Sequence, residues 1–368
     1  MEFRYSTEQN DFRTSLRSFL RHHVPPARMR EVAGIDGYDR RVWKRLCDEF
    51  ELPALHAPAE YGGVGATVVE TAIAFAELGR ALTPVPYAAT MFAIEAVLRM
   101  GDEEQRKKLL AGLLTGEQVG TLAASGHPIG NAARPIAATV RAERRAGATT
   151  LTGECSPVLH GQIADLIVVP ALVDERVVLH VVMAEAPGVT ITRLPSFDAT
   201  RPVARVQLEG VRAEALNAGS AEDLERVLDV ARVLLAAEML GGAEACLERA
   251  VEYARSRRQF DRPIGSFQAV KHVCADMMIE IDATRVAVMA AALSAADGHD
   301  LHVTAPLAKA QAADTFVLCA GSAIQIHGGI AFTWEHDMHL YFRRAKTTAV
   351  IFGSSAQHRA LLADRAGI

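Results

Sequence analysis

The first third of the chain places its hydrophobic residues at helical spacing. Ser6 and Gln9 form a capping-box pattern that starts a helix, and Pro25–Pro26 is expected to end it. One face of this helix collects four apolar residues: Phe12, Leu16, Phe19 and Leu20. Similar spacing predicts further helices, at about 42–50, 68–82, 88–100 and 103–114. Residues 1–118 are therefore expected to form an α-helical domain.

The periodicity changes between residues 119 and 218. Apolar and polar residues alternate there, and Gly and Pro separate the alternating segments, as is typical of strands joined by turns. The clearest such segments lie at 177–183, 189–192 and 204–208. This pattern predicts a middle domain built as a β-sandwich or β-barrel.

Helical spacing returns from residue 219 to residue 368. The apolar segments predict helices at 221–256, 266–297, 304–326 and 355–364. Long helices with short connections favour an antiparallel four-helix bundle, and small residues at Ala236–Ala237 and Gly241–Gly242 permit close helix contacts. The expected fold class is thus mixed α and β, with three domains at 1–118, 119–218 and 219–368.

Composition narrows the range of functions. The 368 residues carry a net charge of −5 and a pI near 6.2, which gives no support for nucleic-acid binding. We find no apolar run that approaches the roughly 20 residues needed to span a bilayer, and residues 1–4 run into a helix rather than a signal peptide. Five separated cysteines without a C-x-x-C pattern are expected to be reduced and mostly buried. We therefore expect a cytoplasmic protein.

The longest helical run is interrupted at residues 260–265, where the sequence reads FDRPIG. Pro263 stops the helix, Gly265 permits a turn, and Ser266 is expected to cap the next helix. Four arginines surround the break: Arg255, Arg257, Arg258 and Arg262. They fit two interpretations. They are either cations that stabilise a helix C-terminus or an anion site suited to a pyrophosphate.

Three segments resemble motifs of one family. Residues 255–272, RSRRQFDRPIGSFQAVKH, resemble the R-x-x-F-G-x-x-[IL]-x-x-[FH]-Q segment of acyl-CoA dehydrogenases. Residues 325–332 match the family's Q-x-x-G-G-x-G-[FY], with Ala331 in place of a Gly, and residues 61–63 carry its early Y-G-G. The order of helical, β and helical domains is also similar over the whole chain. The resemblance implies the three-domain acyl-CoA dehydrogenase fold.

The resemblance also implies a reaction that removes two hydrogens from an acyl-CoA thioester. In the family a carboxylate takes the α proton, and the β hydrogen leaves as hydride to the flavin N5. The family's catalytic Glu occupies one of two positions, which correspond here to Phe352 and Ala231. Asp229 and Glu238 lie near Ala231 in sequence. In a helix, Asp229 points to a different face from Ala231, whereas Glu238 shares its face but lies about two turns further along the helix. Glu238 is therefore interpreted as an ion-pair residue. We therefore assign no catalytic residue in this chain.

The middle domain is expected to lack part of a flavin pocket. Family members carry T-E-P-x-x-G-S-D where residues 122–130 read LAASGHPIG. The family's N-G-x-K-x-[WF]-I-[TS] strand corresponds to residues 152–159. There Pro157 replaces the aromatic residue and Leu159 replaces the hydroxyl near the flavin N5. A Leu side chain has no hydrogen-bond donor for that position.

The arginine-rich break, by contrast, keeps the family's cofactor-binding residues. The resemblance implies that a set of residues reaches the adenosine pyrophosphate of FAD held with a partner subunit: Arg257, Phe260, Gln268, Gln325, Gly328, Gly329 and Ser354. Arg binds pyrophosphate bidentately, and paired glycines let backbone N–H groups approach phosphate. On its own, the Gly328–Gly329 pair also fits a simple helix stop.

An intact cofactor arm beside a missing base suggests one subunit of a heteromeric enzyme. The chain resembles the base-lacking subunit of α2β2 actinobacterial acyl-CoA dehydrogenases of the steroid side-chain type, whose sister subunit would hold FAD and supply the Glu. Two alternatives stay open. One is a homomeric FAD enzyme that acts on acyl-CoA or carrier-bound acyl groups with an unrecognised base, and the other is a non-catalytic structural partner.

The spaced pairs His299/His302 and His336/His339 are interpreted as surface histidines without a metal.

Overall fold

A computed structural model gives the arrangement of the chain. It describes residues 4–35, 37–124, 129–131, 134–136, 138–145, 147–174 and 176–368, so part of segment 122–130 lies outside the described residues. The helices within this described part are α1 Thr7–His23, α2 Pro26–Ile35, α3 Arg40–Phe50, α4 Val68–Arg80, α5 Tyr87–Met100, α6 Glu103–Leu114, α7 Ala221–Ser256, α8 Gln268–Asp297, α9 Leu301–His327, α10 Met338–Thr348 and α11 Ser355–Ala366. The strands are β1 Gly120–Leu122, β2 Ile129–Asn131, β3 Arg134–Ile136, β4 Val140–Arg145, β5 Ala148–Leu159, β6 Leu166–Val173, β7 Arg176–Met183, β8 Val189–Leu194, β9 Val203–Ala215, β10 Arg258–Gln259 and β11 Arg262–Pro263.

The N-terminal helices follow the sequence pattern closely. Ser6 accepts a hydrogen bond from the Gln9 backbone N–H at 3.2 Å, and the reciprocal bond completes the capping box of α1. Helix α1 ends at His23, directly before the proline pair as predicted, and Pro26 also opens α2, a helix that the sequence analysis did not predict. Pro is well suited to a first helical position because its missing N–H would be unpaired there in any case.

The middle domain is a β-barrel. Strand β6 pairs with β4, β4 with β5, β5 with β9, β9 with β7, and β7 returns to β6, so the pairing closes on itself. The barrel has its own apolar core, which includes Val140, Leu151, Ile167 and Val206. A β-barrel is one of the two architectures that the alternating pattern predicts.

The C-terminal helices pack closely on the N-terminal ones. A Cβ added at Gly241 of α7 would lie 1.8 Å from the Ala76 carbonyl oxygen of α4, and one at Gly242 would overlap the Phe316 ring of α9. These glycines therefore set the approach of α7 to two neighbouring helices. One apolar core runs through both helical regions. The domain limits at 118/119 and 218/219 stay predictions.

One expectation about the C-terminal helices was wrong: Ser266 does not cap α8. It ends the short 3-10 turn Ile264–Ser266, and the cap position falls on Phe267 without a side-chain hydrogen bond.

Within the described part of the chain, the segment Leu301–Phe332 is long and apolar enough by length and composition to cross a membrane. Core helices of soluble proteins pass the same test, and α9 packs on α7, α8, α10 and α11.

Candidate functional site

The arginine-rich segment folds as a short hairpin between two long helices. Arg257 follows α7 and donates its backbone N–H to the Tyr253 carbonyl at 2.8 Å. Strands β10 and β11 then pair in antiparallel fashion, and the Ile264 N–H donates to the Arg257 carbonyl at 2.8 Å. The predicted break is thus an ordered turn, with the Arg257 side chain on its exposed surface.

Phe260 stands at the tip of this hairpin in a strained conformation. Both Phe260 and Asp261 have positive φ angles, 52° and 61°, in the region that Gly and Asn adopt more easily. The Phe260 side chain is 84% exposed, and its ring contacts Phe267 edge to face at 6.0 Å. A strained turn that presents an aromatic ring to the outside is a feature expected of a binding surface.

The two glycines after α9 differ in what the fold demands of them. Gly328 has φ 69° and ψ −150°, a conformation that other residues rarely adopt, so this chain's own backbone requires glycine there. Gly329 has no such φ, and an added Cβ would meet no atom within 4 Å. Nothing among the described residues therefore demands glycine at 329.

A ring contact joins the end of α7, which leads into the hairpin, to the residue before the glycine turn. Tyr253, near the end of α7, stacks on His327 with ring centroids 4.5 Å apart, and Gly328 follows directly. Gln325 and Gln268, the first residue of α8, are both exposed. We call the set Arg257, Phe260, Gln268, Gln325, Gly328 and Gly329 the exposed arm.

Ser354, the remaining predicted cofactor residue, has a structural task in this chain. Its hydroxyl forms the capping box of α11 with Gln357, whose side chain accepts from the Ser354 backbone at 2.9 Å. The cap accounts for Ser at this position without a ligand. Its role toward a cofactor stays a prediction.

Apolar side chains fill the two positions where a carboxylate was sought. Phe352 is 3% exposed, and its ring packs edge to face on Phe92 at 5.2 Å. Ala231, in the middle of α7, is 1% exposed. Neither position offers a proton acceptor, and the Phe352 ring occupies core space next to α5.

Lys309 holds the turn that carries Phe352. It is fully buried on α9, and its ammonium donates to the carbonyls of Thr348, Ala349 and Gly353 at 3.3, 3.1 and 3.5 Å. Burial and the nearby Arg232 lower the pKa of Lys309 to about 7. These bonds satisfy carbonyl groups at the C-terminus of α10, where a cation also complements the helix dipole.

The two carboxylates considered as substitutes for a base at Ala231 are both engaged by arginines. Asp229 is buried and accepts from Arg365 at 2.9 Å and from Arg232 on the same helix. Glu238 is buried between Arg201 and Arg344, with Arg344 at 2.9 Å. The interpretation of Glu238 as an ion-pair residue is confirmed.

Charge neutralisation makes Glu238 a poor base. Burial alone would raise its pKa, but the guanidinium groups of Arg201 and Arg344 hold the pKa of Glu238 below its usual range. Arg344 also bonds Asp198, and Arg201 donates to the Thr348 hydroxyl at 2.9 Å. Two cations and two anions thus balance in one buried cluster.

Comparison with known proteins decides the family. The family model "Acyl-CoA dehydrogenase, N-terminal domain" matches residues 6–117, and "Acyl-CoA dehydrogenase, C-terminal domain" matches residues 217–367. The chain belongs to the acyl-CoA dehydrogenase family. Members are oxidoreductases, and the three-domain fold expected from the sequence is confirmed.

Individual relatives refine this assignment. Acyl-CoA dehydrogenase IpdE2 of Mycobacterium tuberculosis is 37% identical over 348 residues, which cover 94% of this chain and 93% of the relative. The ChsE4–ChsE5 complex from Mycobacterium tuberculosis contains a chain that is 28% identical with a TM-score of 0.92, at coverages of 100% and 99%. The Tcur3481–Tcur3483 steroid ACAD G363A variant is 30% identical with a TM-score of 0.90, and 98% of each chain is covered.

The exposed arm fits one half of the family's cofactor, FAD. Arg257 offers a planar set of donors, and open space at Gly328 and Gly329 leaves room for a phosphate to approach the backbone. The middle domain fits the other half poorly. Leu159 is buried and carries no donor, and the next residue, His160, is a buried ring whose pKa burial lowers to about 3.

Sequence reasoning missed the groups that hold this region together. Lys309 was the available signal, because it is one lysine within an Ala-rich helical segment. No signal in the sequence identified Arg201 and Arg344 as partners of Glu238, since they lie 37 and 106 residues from it.

Among the described residues, no group of three or more His, Cys, Asp or Glu is arranged for a metal. Cys47, Cys155, Cys246 and Cys319 are buried, as expected, and Cys274 is half-buried.

Proposed function

We propose that this chain is the base-lacking subunit of a heteromeric FAD-dependent acyl-CoA dehydrogenase, assembled with a sister subunit as α2β2. The observation that carries the proposal is a contrast. The arm for the pyrophosphate is complete and exposed, whereas Phe352 and Ala231 occupy the positions of the base. A chain that served only as a scaffold would not need Gly329 or an exposed Phe260.

The relatives support a bulky, steroid-derived acyl-CoA as the substrate. One similar structure is described as a steroid ACAD, and another is a complex of two named chains, ChsE4 and ChsE5. In this proposal the sister subunit carries the Glu that removes the α proton. The FAD supplies a hydride acceptor for the β hydrogen when it is bound.

This chain's residues act on binding and orientation. Arg257 would hold the pyrophosphate, the N–H groups around Gly328–Gly329 would donate to it, and the exposed Phe260 ring would contact the nucleotide. Phe352 and Ala231 leave no carboxylate at the family's two base positions, and the buried Leu159 side chain has no donor, so in this proposal the chain neither abstracts the proton nor hydrogen-bonds an isoalloxazine ring through residue 159. The complex is expected to act in the cytoplasm.

The visible absorption spectrum tests this proposal. The chain is purified alone and after co-expression with a dehydrogenase-like sister chain. A colourless lone chain and a yellow complex with about one FAD per pair are expected. A yellow lone chain with about one FAD per protomer, active on acyl-CoA, would establish the homomeric alternative. A complex that forms without flavin would establish the structural partner.

A further inference from the structure

Three aromatic rings form a column directly behind the glycine turn of the arm. Tyr253 on α7 stacks on His327 at 4.5 Å with the ring planes 25° apart. His327 in turn meets His336 edge to face at 4.7 Å. The column thus joins α7, the end of α9 and the loop before α10. Gly328 is bonded directly to its central residue, so its position depends on this column.

Hydrogen bonds set the protonation of both histidine rings. His327 Nδ1 lies 2.7 Å from the Ala323 carbonyl oxygen, so this nitrogen must carry a proton and donate. His336 Nδ1 accepts from the Met338 backbone N–H at 3.2 Å, so that nitrogen must be unprotonated. This acceptor serves the first residue of α10, whose cap residue Asp337 has no side-chain capping bond. His336 therefore caps the helix.

Charged groups reach this column from every packed element. Asp337 pairs with Arg30 of α2 and with Arg249 of α7 at 3.2 Å. Arg249, His327 and His339 of α10 disfavour a charge on His336, whereas Asp337 favours it. Burial is the largest influence, and the pKa of His336 lies below its ordinary value of 6.5.

We infer that His336 is a positioning residue for the cofactor arm, one that acts through His327 and holds the Gly328–Gly329 turn only while its ring is neutral. The inference rests on the proposed function, since it concerns how the arm meets FAD. The neutral ring is favoured in the fold, so its contribution is present above about pH 6.5 and is lost as the pH falls. Protonation removes the acceptor for the Met338 N–H and sets a cation near Arg249.

Two variants of the full complex distinguish the two roles of His336, which are the hydrogen bond to the Met338 N–H and the ring contact with His327. His336→Asn keeps a side-chain acceptor for the helix and cannot titrate. His336→Phe keeps a ring against His327 but has no acceptor. His299→Asn, at an exposed position after α8, is the matched control. Bound FAD is measured by absorbance after dilution at pH 7.5 and pH 5, and exchange of the Met338 amide is measured relative to its intrinsic rate.

The wild type and His299→Asn are expected to bind FAD more weakly at pH 5 than at pH 7.5, by up to about fivefold, the size of one lost cap. His336→Asn should bind equally at both values, and His336→Phe should be about fivefold weaker at both. Met338 amide protection should fall at pH 5 in the wild type and in His299→Asn, but not in His336→Asn. An identical pH response in His336→Asn would overturn the inference. Absence of FAD from the complex at every pH would instead overturn the proposed function.

Discussion

Arg257 is the residue on which the proposed cofactor contact depends most. Its guanidinium is exposed, and no hydrogen bond between described residues uses it. Since a charge-assisted hydrogen bond contributes about 1.5–3 kcal/mol, Arg257→Ala should weaken FAD binding by the complex about 10- to 100-fold. Equilibrium dialysis of flavin against the complex measures the change. Arg255→Ala, two residues earlier on α7, is the control and should bind normally. Undiminished flavin in Arg257→Ala would remove the arm from the site.

Phe352 tests whether the missing carboxylate is the only defect of this chain. The ring is buried against Phe92, so Phe352→Glu both empties packed space and buries a charge. We expect a loss of stability of about 3 kcal/mol or more and no turnover of acyl-CoA by the lone chain. Urea unfolding and a dye-reduction assay measure the two effects. Phe352→Leu should lose less stability because it adds no charge. Clear activity of the Glu variant would restore the homomeric alternative.

The identity of single residues was readable from the sequence, but their surroundings were not. Ala231 and Phe352 follow directly from aligned motifs. The contrast between Gly328 and Gly329 does not, because it depends on a φ angle and on the open space around a Cβ. Two adjacent glycines look alike in sequence, and the fold alone shows that only one of them is required by this chain's backbone.

The turn between α10 and α11 depends on one buried lysine. Lys309 donates to the Thr348 and Ala349 carbonyls at the end of α10 and to the Gly353 carbonyl in the turn, and the Thr348 carbonyl also accepts from the Ile351 N–H at 3.3 Å. Lys309→Met keeps much of the side-chain volume but removes one donor from each of these carbonyls, so we expect a loss of about 1–3 kcal/mol in unfolding free energy. Lys346→Met, at an exposed position of α10, is the control and should change stability little. Equal stability of Lys309→Met and wild type would show that water replaces the ammonium.

Helix limits were predicted well wherever caps and apolar faces agree. The 103–114 and 221–256 segments match α6 and α7 residue for residue, because each has a capping box and a clear stop. The proline pair follows the end of α1 as predicted, but helix α2 was missed, because Pro is also well suited to the first position of a helix. Ser266 was wrongly predicted to cap α8. A serine stabilises a helix start only at the cap position itself, and in the structure that position is Phe267.

At the scale of the whole molecule, one buried cluster joins the barrel to the C-terminal helices. Asp198, Thr200 and Arg201 come from the connection before β9, whereas Glu238 and Arg344 come from α7 and α10. No local pattern predicts such a cluster, because its members meet only when two domains dock. Sequence reasoning identified Glu238 as an ion-pair residue but could not name its partners.

Removing one charge from this cluster should unbalance it. Glu238→Gln leaves Arg201 and Arg344 with one anion between them, so we expect a loss of about 3–5 kcal/mol in unfolding free energy. Glu244→Gln, six residues on in the same helix and paired with Arg80 and Arg285 near the surface, should cost under about 1 kcal/mol. Urea titration compares the two. If Glu238 were instead a base, Glu238→Gln would lose activity in the complex while its stability stayed at the Glu244→Gln level.

The exposed apolar side chains of the C-terminal helices bear on assembly. Ile279 and Val286 are 65% and 60% exposed and lie seven residues apart, so they share one face of α8. Leu307 and Leu318 are also exposed on α9, eleven residues apart and so again on one helix face. A subunit that lends its arm to a sister chain must bury a surface near that arm, and these helices begin and end at the arm itself. We therefore expect the sister subunit to cover this face.

The double variant Ile279→Glu/Val286→Glu tests that expectation. Both side chains are exposed in the lone chain, so its unfolding free energy should change by less than about 0.5 kcal/mol. In the complex, two buried carboxylates without partners should weaken association by more than about 100-fold, since each costs well over 1 kcal/mol. Native mass measurement of the co-expressed chains follows the assembly, and Val64→Glu, an exposed apolar position in the N-terminal region, is the control. Undisturbed assembly of the double variant would place the sister chain on another face, and the arm would then have to reach FAD without the support of α8.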